Sequence, residues 1–480
     1  MSYRLLHHLV LLVTISMAIG SCNVIRRTSK IELIENEKQE ERIYALKNVN
    51  IIPMTPGNTI IKNGTVVIKD KKIFSINGAV PSKATIIDCR GKWLIPGLTD
   101  MHVHNLADIN FSATYPTKGA TLFADTQNFM LLYIANGVTT VFELNGRVEH
   151  FGQRNEIIKG NVIGPRIALA YLIDGGDAGN VANTPSEGRQ TVRIAEAQGY
   201  EFIKLYSGLN IETYKAIIDE ANKRGMKVVG HIPNAFRGRI KDAFVPHFNM
   251  VAHAEEYSKE SKDLSDEDAR RFAQLAKGNN TWLTPTLTTM ERIARQTHSL
   301  EGIRNLPTLK YVHPLMQSKW LTANRYSQET DPKRIVRIDD MVNFHLRLVK
   351  AFKNAGVPIV VGTDAGVSGV VWGFSLHDEM ELLIQAGLST QEILASATIL
   401  PATWLGLADK LGTVEVGKYA DLVLLEANPL DDIKNARKIN GVFVNGNWVS
   451  KEKIDVMLDD LEKWNIDNKN KFDWKQRNDY

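Results

Sequence analysis

Four histidines, one lysine and one aspartate have the residue types and spacing of a metal site. His102 and His104 are separated by one residue, and in a β-strand this spacing places both imidazoles on the same face. Imidazole and carboxylate groups are suitable ligands for zinc or a similar divalent ion. A single histidine at a strand end would more often be structural, but this chain has only 12 histidines and four of them follow the pattern. The candidate metal ligands are His102, His104, Lys204, His231, His253 and Asp364.

Lys204 differs chemically from the other candidates. An ammonium group would be repelled by a metal ion and would be costly to bury. Two alternatives remain open. The surroundings could hold the side chain as a neutral amine, or CO2 could carboxylate it to an anion that bridges two metals.

The elements that must position these residues form an alternating pattern. Between residues 97 and 411, apolar strand-like segments alternate with amphipathic helical segments, which predicts an α/β fold, a closed (β/α)8 TIM-like barrel. An open doubly wound sheet is the alternative. Catalytic groups of such barrels lie at the carboxyl ends of the strands, where the six candidates fall. The predicted strands are 99–104, 139–144, 166–173, 202–206, 227–232, 249–256, 282–287 and 358–365. The predicted helices include 341–355, before the last strand, and 390–404, after it.

Short β-rich segments flank the predicted barrel. Residues 44–96 contain the turn signals Pro56-Gly57, Asn63-Gly64 and Asn77-Gly78, and strand-like texture returns at 412–449. We expect these two segments to form one small composite β-sandwich domain. Residues 299–340 form a long irregular segment, for which an insertion and a lid of short helices are both open interpretations. Residues 450–480 are predicted to be a C-terminal tail with a helix and a frayed end.

The N-terminus has the features of an export signal. Its apolar run, residues 9–19, is too short to span a bilayer but has the length found in signal peptides. The sequence Ile19-Gly20-Ser21-Cys22 resembles a bacterial lipobox, which implies removal of residues 1–21, lipidation of Cys22 and a charged tether over 22–43. A plain secretory signal or a buried N-terminal helix is the alternative. By the same resemblance to bacterial lipoproteins, Asn23 rather than aspartate after the cysteine implies an anchor in the outer membrane of the cell envelope.

Composition excludes several classes of protein. The chain has 480 residues, of which 44% are apolar and 23% charged, as in ordinary globular proteins. A net charge of +4 on this length gives no reason to expect a nucleic-acid partner. If Cys22 carries a lipid, Cys89 has no partner, so a disulfide framework is excluded.

Several motifs, in order along the chain, resemble the metal-dependent amidohydrolase superfamily. The likeness covers about residues 44–449 and is strongest to the imidazolonepropionase-like branch, which includes Xaa-Pro dipeptidases. It implies two divalent metals, a carboxylated Lys204 that bridges them, and Asp364 as a ligand. The motifs are Pro96-Gly97-Leu98-Thr99-Asp100-Met101-His102-Val103-His104, Gly137-Val138-Thr139-Thr140-Val141, Phe202-Ile203-Lys204-Leu205-Tyr206, Val229-Gly230-His231, Val361-Gly362-Thr363-Asp364-Ala365 and the segment 411–423, where the chain returns to the β-domain.

This resemblance predicts a hydrolase of amide-like bonds, for which a dipeptide is one substrate class. Two metals about 3.5–4 Å apart would share a water and lower its pKa. Asp364 would take the proton and pass it to the leaving nitrogen. Tyr206 follows Lys204 by two residues, so it faces the same side and could stabilise an oxyanion or hold a substrate carboxylate. A packed structural tyrosine is equally compatible with this position.

Two other functions stay open. One is a mononuclear hydrolase of a cyclic amide or amidine, or a deaminase, in which Lys204 stays unmodified. The other is a binding protein that uses the same fold without catalysis. The chain departs from many relatives at Ala252, next to His253, and at Glu143, so its substrate is not fixed by the motifs. His377 is interpreted as structural, Glu143 and Glu255 are reserve candidates for the general base, and a homo-oligomer is left open.

Overall fold

The computed structural model describes residues 42–106, 124–177 and 181–479. The predicted signal peptide, Cys22 and nearly all of the predicted tether lie outside these residues. Within the described part of the chain, no helix combines the length and the apolar character needed to cross a membrane.

Strands at both ends of the described chain flank seven consecutive barrel strands. The strands are β1 (Ile43–Ile51), β2 (Ile61–Lys69), β3 (Lys72–Ile76), β4 (Thr85–Asp88), β5 (Trp93–Pro96), β6 (Leu98–Val103), β7 (Val138–Glu143), β8 (Arg166–Ile173), β9 (Phe202–Leu205), β10 (Lys227–Gly230), β11 (Phe248–Ala252), β12 (Trp282–Thr284), β13 (Leu422–Leu425), β14 (Ile439–Val444) and β15 (Asn447–Ser450).

Helices occupy the connections between these strands and the C-terminal region. They are α1 (Thr126–Ile134), α2 (Val148–Lys159), α3 (Pro185–Gln198), α4 (Ile211–Lys223), α5 (Glu255–Ser258), α6 (Asp266–Gly278), α7 (Leu287–His298), α8 (Glu301–Arg304), α9 (Pro314–Thr322), α10 (Pro332–Ala355), α11 (Phe374–Gln385), α12 (Thr390–Ala397), α13 (Ile399–Leu405) and α14 (Lys451–Asn468).

The N- and C-terminal β-segments join in one mixed sheet. Its order is β15-β14-β13-β5-β1-β2-β3, and β4 pairs with β1. The two segments meet where β5 and β13 pair antiparallel, with Pro96 opposite Leu422. The composite domain expected from sequence is therefore present, and its strands are hydrogen-bonded into a single sheet with a buried apolar core of its own.

Strands β6 to β12 form a parallel sheet in sequence order, which is the nearly closed wall of the barrel. The predicted eighth strand, 358–365, completes this wall through isolated bridges rather than as a regular strand. The Leu283 amide donates to the Pro358 carbonyl at 3.1 Å on one side, and the Met101 amide donates to the Val361 carbonyl at 2.9 Å on the other. Gly362 permits this close approach, because a Cβ there would lie 2.3 Å from Thr284 Oγ1.

The insertion, residues 299–340, contains short helices, one of the interpretations that the sequence left open. Two helical boundaries differ from the prediction. Helix α10 begins at Pro332, nine residues before the predicted start at residue 341, with Asp331 as its N-cap. The predicted helix over 390–404 divides at Thr398, whose backbone (φ −134°, ψ −85°) is not helical. Helix α14 is docked on the insertion, where Asn465 Nδ2 donates to the Lys310 carbonyl at 2.8 Å.

Candidate active site

The structure brings all six predicted metal ligands to one cavity at the carboxyl end of the barrel strands. Its volume is about 270 Å³, and Tyr206 also lines it. The ligand candidates come from β6, β9, the ends of β10 and β11, and the closing segment 358–365. Parallel strands in one barrel end on the same face, so residues that are far apart in sequence converge here.

His102, His104 and Asp364 form the tightest part of this cluster. Asp364 Oδ1 lies 3.2 Å from His102 Nε2 and 3.1 Å from His104 Nε2. One potential ligand atom from each of the three residues falls within 4.8 Å of the others. This spacing fits three donors around one divalent ion, so the residues present suit a metal.

His231 and His253 complete the ring of imidazoles. The His253 ring centroid lies 4.6 Å from that of His102 and 4.7 Å from that of His231. His231 Nδ1 is 2.7 Å from Glu256 Oε1, and His253 Nδ1 is 2.8 Å from Thr286 Oγ1. These contacts occupy Nδ1 of both rings and leave Nε2 for a ligand, which is the arrangement usual for metal-binding histidines.

Lys204 is deeply buried beside these histidines. The residue is 1% exposed, and Nζ has no hydrogen-bond partner among the described residues. Burial lowers the pKa of the Lys204 amine to about 8, against the opposing effect of Asp364 and Glu256. A buried amine without a partner is costly, so this position fits a lysine whose nitrogen is modified or faces a bound group.

Electrostatics favour the neutral, metal-binding form of three histidines. Burial, assisted by the positive charge of Lys204, holds the pKa of His102 and His231 well below the usual range, and burial does the same for His253. His104 behaves differently. Burial lowers its pKa, but the carboxylates of Asp364 and Glu143 outweigh burial and raise the pKa to about 10.

Three residues of the site have left-handed backbone conformations. The φ angles are +77° for His253, +60° for Asp364 and +51° for the β-branched Thr286. Such angles are uncommon for residues other than glycine, and they cluster at functional sites where the surrounding structure enforces them. Part of that enforcement is Glu379, which accepts hydrogen bonds from the amides of Leu287 and Thr288 at 2.8 and 2.7 Å.

Several supporting residues were not singled out from the sequence. Buried Asp100 accepts hydrogen bonds from the His102 and Thr363 amides at 3.2 and 3.0 Å, which ties β6 to the closing segment. Glu256 orients His231, and Thr286 orients His253. The alternation that selected His102 also places Asp100 on the same face, so that residue could have been found by periodicity.

Glu143 and Glu255, the reserve candidates for the general base, and His377 each have identifiable partners in the structure. Glu143 is fully buried and accepts hydrogen bonds from the amides of Asn105 and Asn145, with His104 Nδ1 at 3.4 Å, so it supports His104. Glu255 lines the cavity and pairs with Lys259 at 3.1 Å. His377 Nε2 lies 3.1 Å from the Asn136 carbonyl and is structural, in agreement with its interpretation.

The chain belongs to the amidohydrolase family, whose model matches residues 93–449. It is 23% identical to an imidazolonepropionase from Thermoplasma acidophilum, over 78% of this chain and 85% of the relative. It is 24% identical to a 5-methylthioadenosine/S-adenosylhomocysteine deaminase from Bacillus cereus, over 83% and 92% of the two chains. A crystal structure of a Xaa-Pro dipeptidase with methionine bound in its active site has the same fold, with a TM-score of 0.64, 22% identity and coverage of 85% and 100%.

Family membership and the converging ligand cluster define the chemistry at the level of reaction class. Amidohydrolases are metal-dependent hydrolases, and the relatives act on carbon–nitrogen bonds. The protein is therefore an enzyme that hydrolyses a carbon–nitrogen bond of a small substrate.

Proposed function

We propose that this protein is a binuclear metal-dependent amidase that cleaves dipeptides or related small amides. The observation that carries this proposal is the position of Lys204, whose buried Nζ has no hydrogen-bond partner within the described structure and lies beside four histidines and Asp364. A carboxylated Lys204 would supply the anionic bridge that a two-metal site needs. An ordinary ammonium at this position has no comparable role and would be costly.

The donor set divides into two groups. His102, His104 and Asp364 would hold one ion, His231 and His253 would hold the other, and carboxylated Lys204 would contact both. Imidazole and carboxylate donors support the proposal of zinc. When bound, the two ions would polarise the scissile carbonyl and lower the pKa of a shared water.

Asp364 has the position required of the proton carrier. Its Oδ1 contacts His102 and His104, and the carboxylate lines the cavity. The hydrogen bond from His104 keeps the pKa of Asp364 below its usual value despite burial, so the carboxylate is ionised. Asp364 would accept a proton and return it to the leaving nitrogen.

Tyr206 lies at the wall of the same cavity and is 40% exposed. Its ring packs edge-on against His231, with the centroids 4.5 Å apart. This contact fixes the ring beside a proposed metal ligand and supports a role of the hydroxyl as a hydrogen-bond donor to the substrate.

Metal content and substrate range together test the proposal. We expect the full-length protein, purified in detergent after growth with zinc and bicarbonate, to contain close to two divalent metals per chain. It should hydrolyse members of a dipeptide panel and release no ammonia from 5′-methylthioadenosine. At most one metal per chain, or deamination without dipeptide hydrolysis, would replace the proposal with the mononuclear alternative.

We also propose that the protein is exported and anchored in the outer membrane through a lipid on Cys22. The support is the lipobox-like sequence at residues 19–22. Cys22→Ser should release the protein from the membrane fraction and leave its catalytic rate unchanged, because the change removes only the attachment point. Mass spectrometry that finds unmodified Cys22 in the mature protein would refute the anchor.

A further inference from the structure

One arginine from the insertion lies at the wall of the catalytic cavity. Arg325 precedes a short turn at Tyr326–Gln328, and both Arg325 and Tyr326 line the cavity opposite the barrel strands. The insertion thus contributes two side chains to the cavity wall.

The backbone that carries Arg325 is firmly anchored by its neighbour. Asn324 is 5% exposed, and its Nδ2 donates to Gln296 Oε1 at 2.6 Å and to Ser368 Oγ at 3.0 Å. Its Oδ1 accepts hydrogen bonds from the amides of Tyr326 and Ser327 at 3.0 and 3.1 Å. Asn324 therefore ties the Arg325 turn both to α7 and to the loop that follows Asp364.

The guanidinium of Arg325 has unused donors. It donates one hydrogen bond, from Nη2 to the Tyr326 hydroxyl at 2.8 Å, and it forms no ion pair with a carboxylate of the described residues. An arginine offers five N–H donors. Glu255, the cavity carboxylate outside the metal cluster, is already paired with Lys259 at 3.1 Å. Glu255 acts on Arg325 electrostatically, since its partner Lys259 is shared with Glu256 at 2.7 Å, but the remaining N–H donors of Arg325 are available to an anionic ligand.

Polar side chains of Thr286, Thr289 and His345 also line the cavity, and one part of its wall is apolar. This apolar part is formed by Leu172, Pro285, Met290, Ile293 and Val367. The site thus offers a cluster of candidate metal ligands, an apolar wall for a side chain, and the hydrogen-bond donors of Tyr206 and Arg325. This combination matches an amide whose leaving amine belongs to an amino acid with an apolar side chain and a free carboxylate.

We propose that Arg325, assisted by Tyr206, binds the free carboxylate of the substrate, so that the enzyme selects dipeptides or N-acyl amino acids over neutral amides. This inference rests on the proposed function and narrows its substrate class. Arginine is well suited to the role because its planar guanidinium can bind a carboxylate through two parallel hydrogen bonds.

Calorimetric binding of a matched pair of ligands tests the proposal without requiring turnover. The probes are N-acetyl-L-leucine and its carboxamide, titrated into the full-length protein with zinc and again with EDTA. We expect the acid to bind about five- to tenfold more tightly than the amide, as for an arginine–carboxylate pair at a partly exposed site. Arg325→Gln should reduce the difference to less than about twofold, and Arg325→Lys should retain part of it.

Arg334→Gln is the matched control, because Arg334 lies in the same insertion and pairs with Glu329 outside the cavity. It should keep the wild-type preference. Equal or undetectable binding of both probes to the wild type would overturn the proposal, as would a preference that survives Arg325→Gln or disappears with EDTA alone. If the preference for the acid depends on Arg325 but the protein does not hydrolyse dipeptides, the carboxylate site is supported and the proposed function is refuted.

Discussion

The two ends of the barrel are built on opposite principles. At the amino end, buried Arg166 at the start of β8 pairs with Asp421, with Nε and Oδ2 2.6 Å apart. The Trp404 ring stacks on that of Phe202, with the ring centroids 5.3 Å apart, and its centroid lies 5.5 Å from that of Phe142. The buried ions of this pair satisfy each other and aromatic rings fill the barrel interior, although Trp404 Nε1 has no hydrogen-bond partner among the described residues.

At the carboxyl end, the same strands hold groups that the chain alone leaves unsatisfied. The amine of Lys204 is buried without a hydrogen-bond partner in the described chain, and Thr286 has a left-handed backbone. A cavity of about 270 Å³ replaces close packing. The comparison indicates that stability is concentrated at one end of the barrel, and that the other end is arranged for binding and chemistry at some cost in stability.

The largest effect should come from changing Asp364, the proposed proton carrier at the carboxyl end. Asp364→Asn keeps the size of the side chain and one oxygen but cannot hold the proton, so kcat should fall by about 10²–10⁴-fold. The thermal midpoint of the metal-free protein should change little. Steady-state rates on a dipeptide, metal content and a melting curve measure the three quantities.

The contrasting variant is His253→Ala, which should lose activity through loss of metal and recover part of it in excess zinc. Asp364→Asn should not recover. A rate within a few-fold of wild type at full metal content would exclude Asp364 as the general base and direct attention to Glu255.

At the amino end, the largest expected effect is on stability. Trp404→Ala leaves a cavity between Phe142 and Phe202, so the free energy of unfolding should fall by about 3–5 kcal/mol. Activity per folded molecule should remain within about twofold at low temperature, because Trp404 lies outside the catalytic cavity. Urea denaturation and assays at 10 °C measure the two effects.

Trp464→Ala provides the comparison, since Trp464 on α14 is 37% exposed. Its cost should be clearly smaller. If Trp404→Ala abolishes metal binding in the folded protein, the two ends of the barrel are coupled and the division proposed above fails.

A smaller effect, on metal affinity, is expected from a change at Glu256, the carboxylate that hydrogen-bonds to His231. Glu256 accepts hydrogen bonds from His231 Nδ1 and from the Ile232 amide. Glu256→Gln weakens the orientation of the ring, so metal affinity should fall by about 10–100-fold. Competition with a zinc-binding dye measures this affinity.

Glu260→Gln is the control, because Glu260 accepts a hydrogen bond from the Gly238 amide and does not line the cavity. Its metal affinity should match the wild type. Unchanged affinity in Glu256→Gln would show that packing alone orients His231.

The smallest expected effect comes from comparing a buried lysine, Lys204, with a partly buried one, Lys227. In EDTA, Lys204→Met should raise the free energy of unfolding by about 1–2 kcal/mol, because it removes a buried amine that has no partner within the described residues. Lys227→Met should have the opposite sign, since Lys227 donates to the Trp404 carbonyl and lies 5.3 Å from the centre of the Trp404 ring. Urea denaturation of both variants tests the pair, and changes of the same sign would contradict the comparison.

The ligand cluster could be predicted from local pattern. The spacing of two residues between His102 and His104 places both rings on the same face of the strand. Because catalytic groups in such barrels lie at the carboxyl ends of strands, the same reasoning selects Lys204 and Asp364 on other strands. Some helix boundaries could also be predicted from the sequence. Asp331 and Pro332 are standard signals for the start of a helix, and they mark the true beginning of α10.

Other features could not be read from neighbouring residues. The predicted eighth strand closes the barrel through isolated bridges, because it must fit between β6 and β12 while Asp364 turns into the left-handed region. The predicted helix over 390–404 divides at Thr398, although no glycine precedes the break and the single proline, Pro401, comes after it.

The sequence by itself determined which candidate ligands gather at one end of the barrel and on which face of their strands they lie, because strand periodicity and the parallel strand order leave a signal in the chain. Only the tertiary structure decided what supports and surrounds them. Glu256 meets His231 from 25 residues away, and Asn324 fixes Arg325 through Gln296 and Ser368. Such contacts depend on how helices and loops pack over the barrel end, and this packing leaves no periodic signal in the chain.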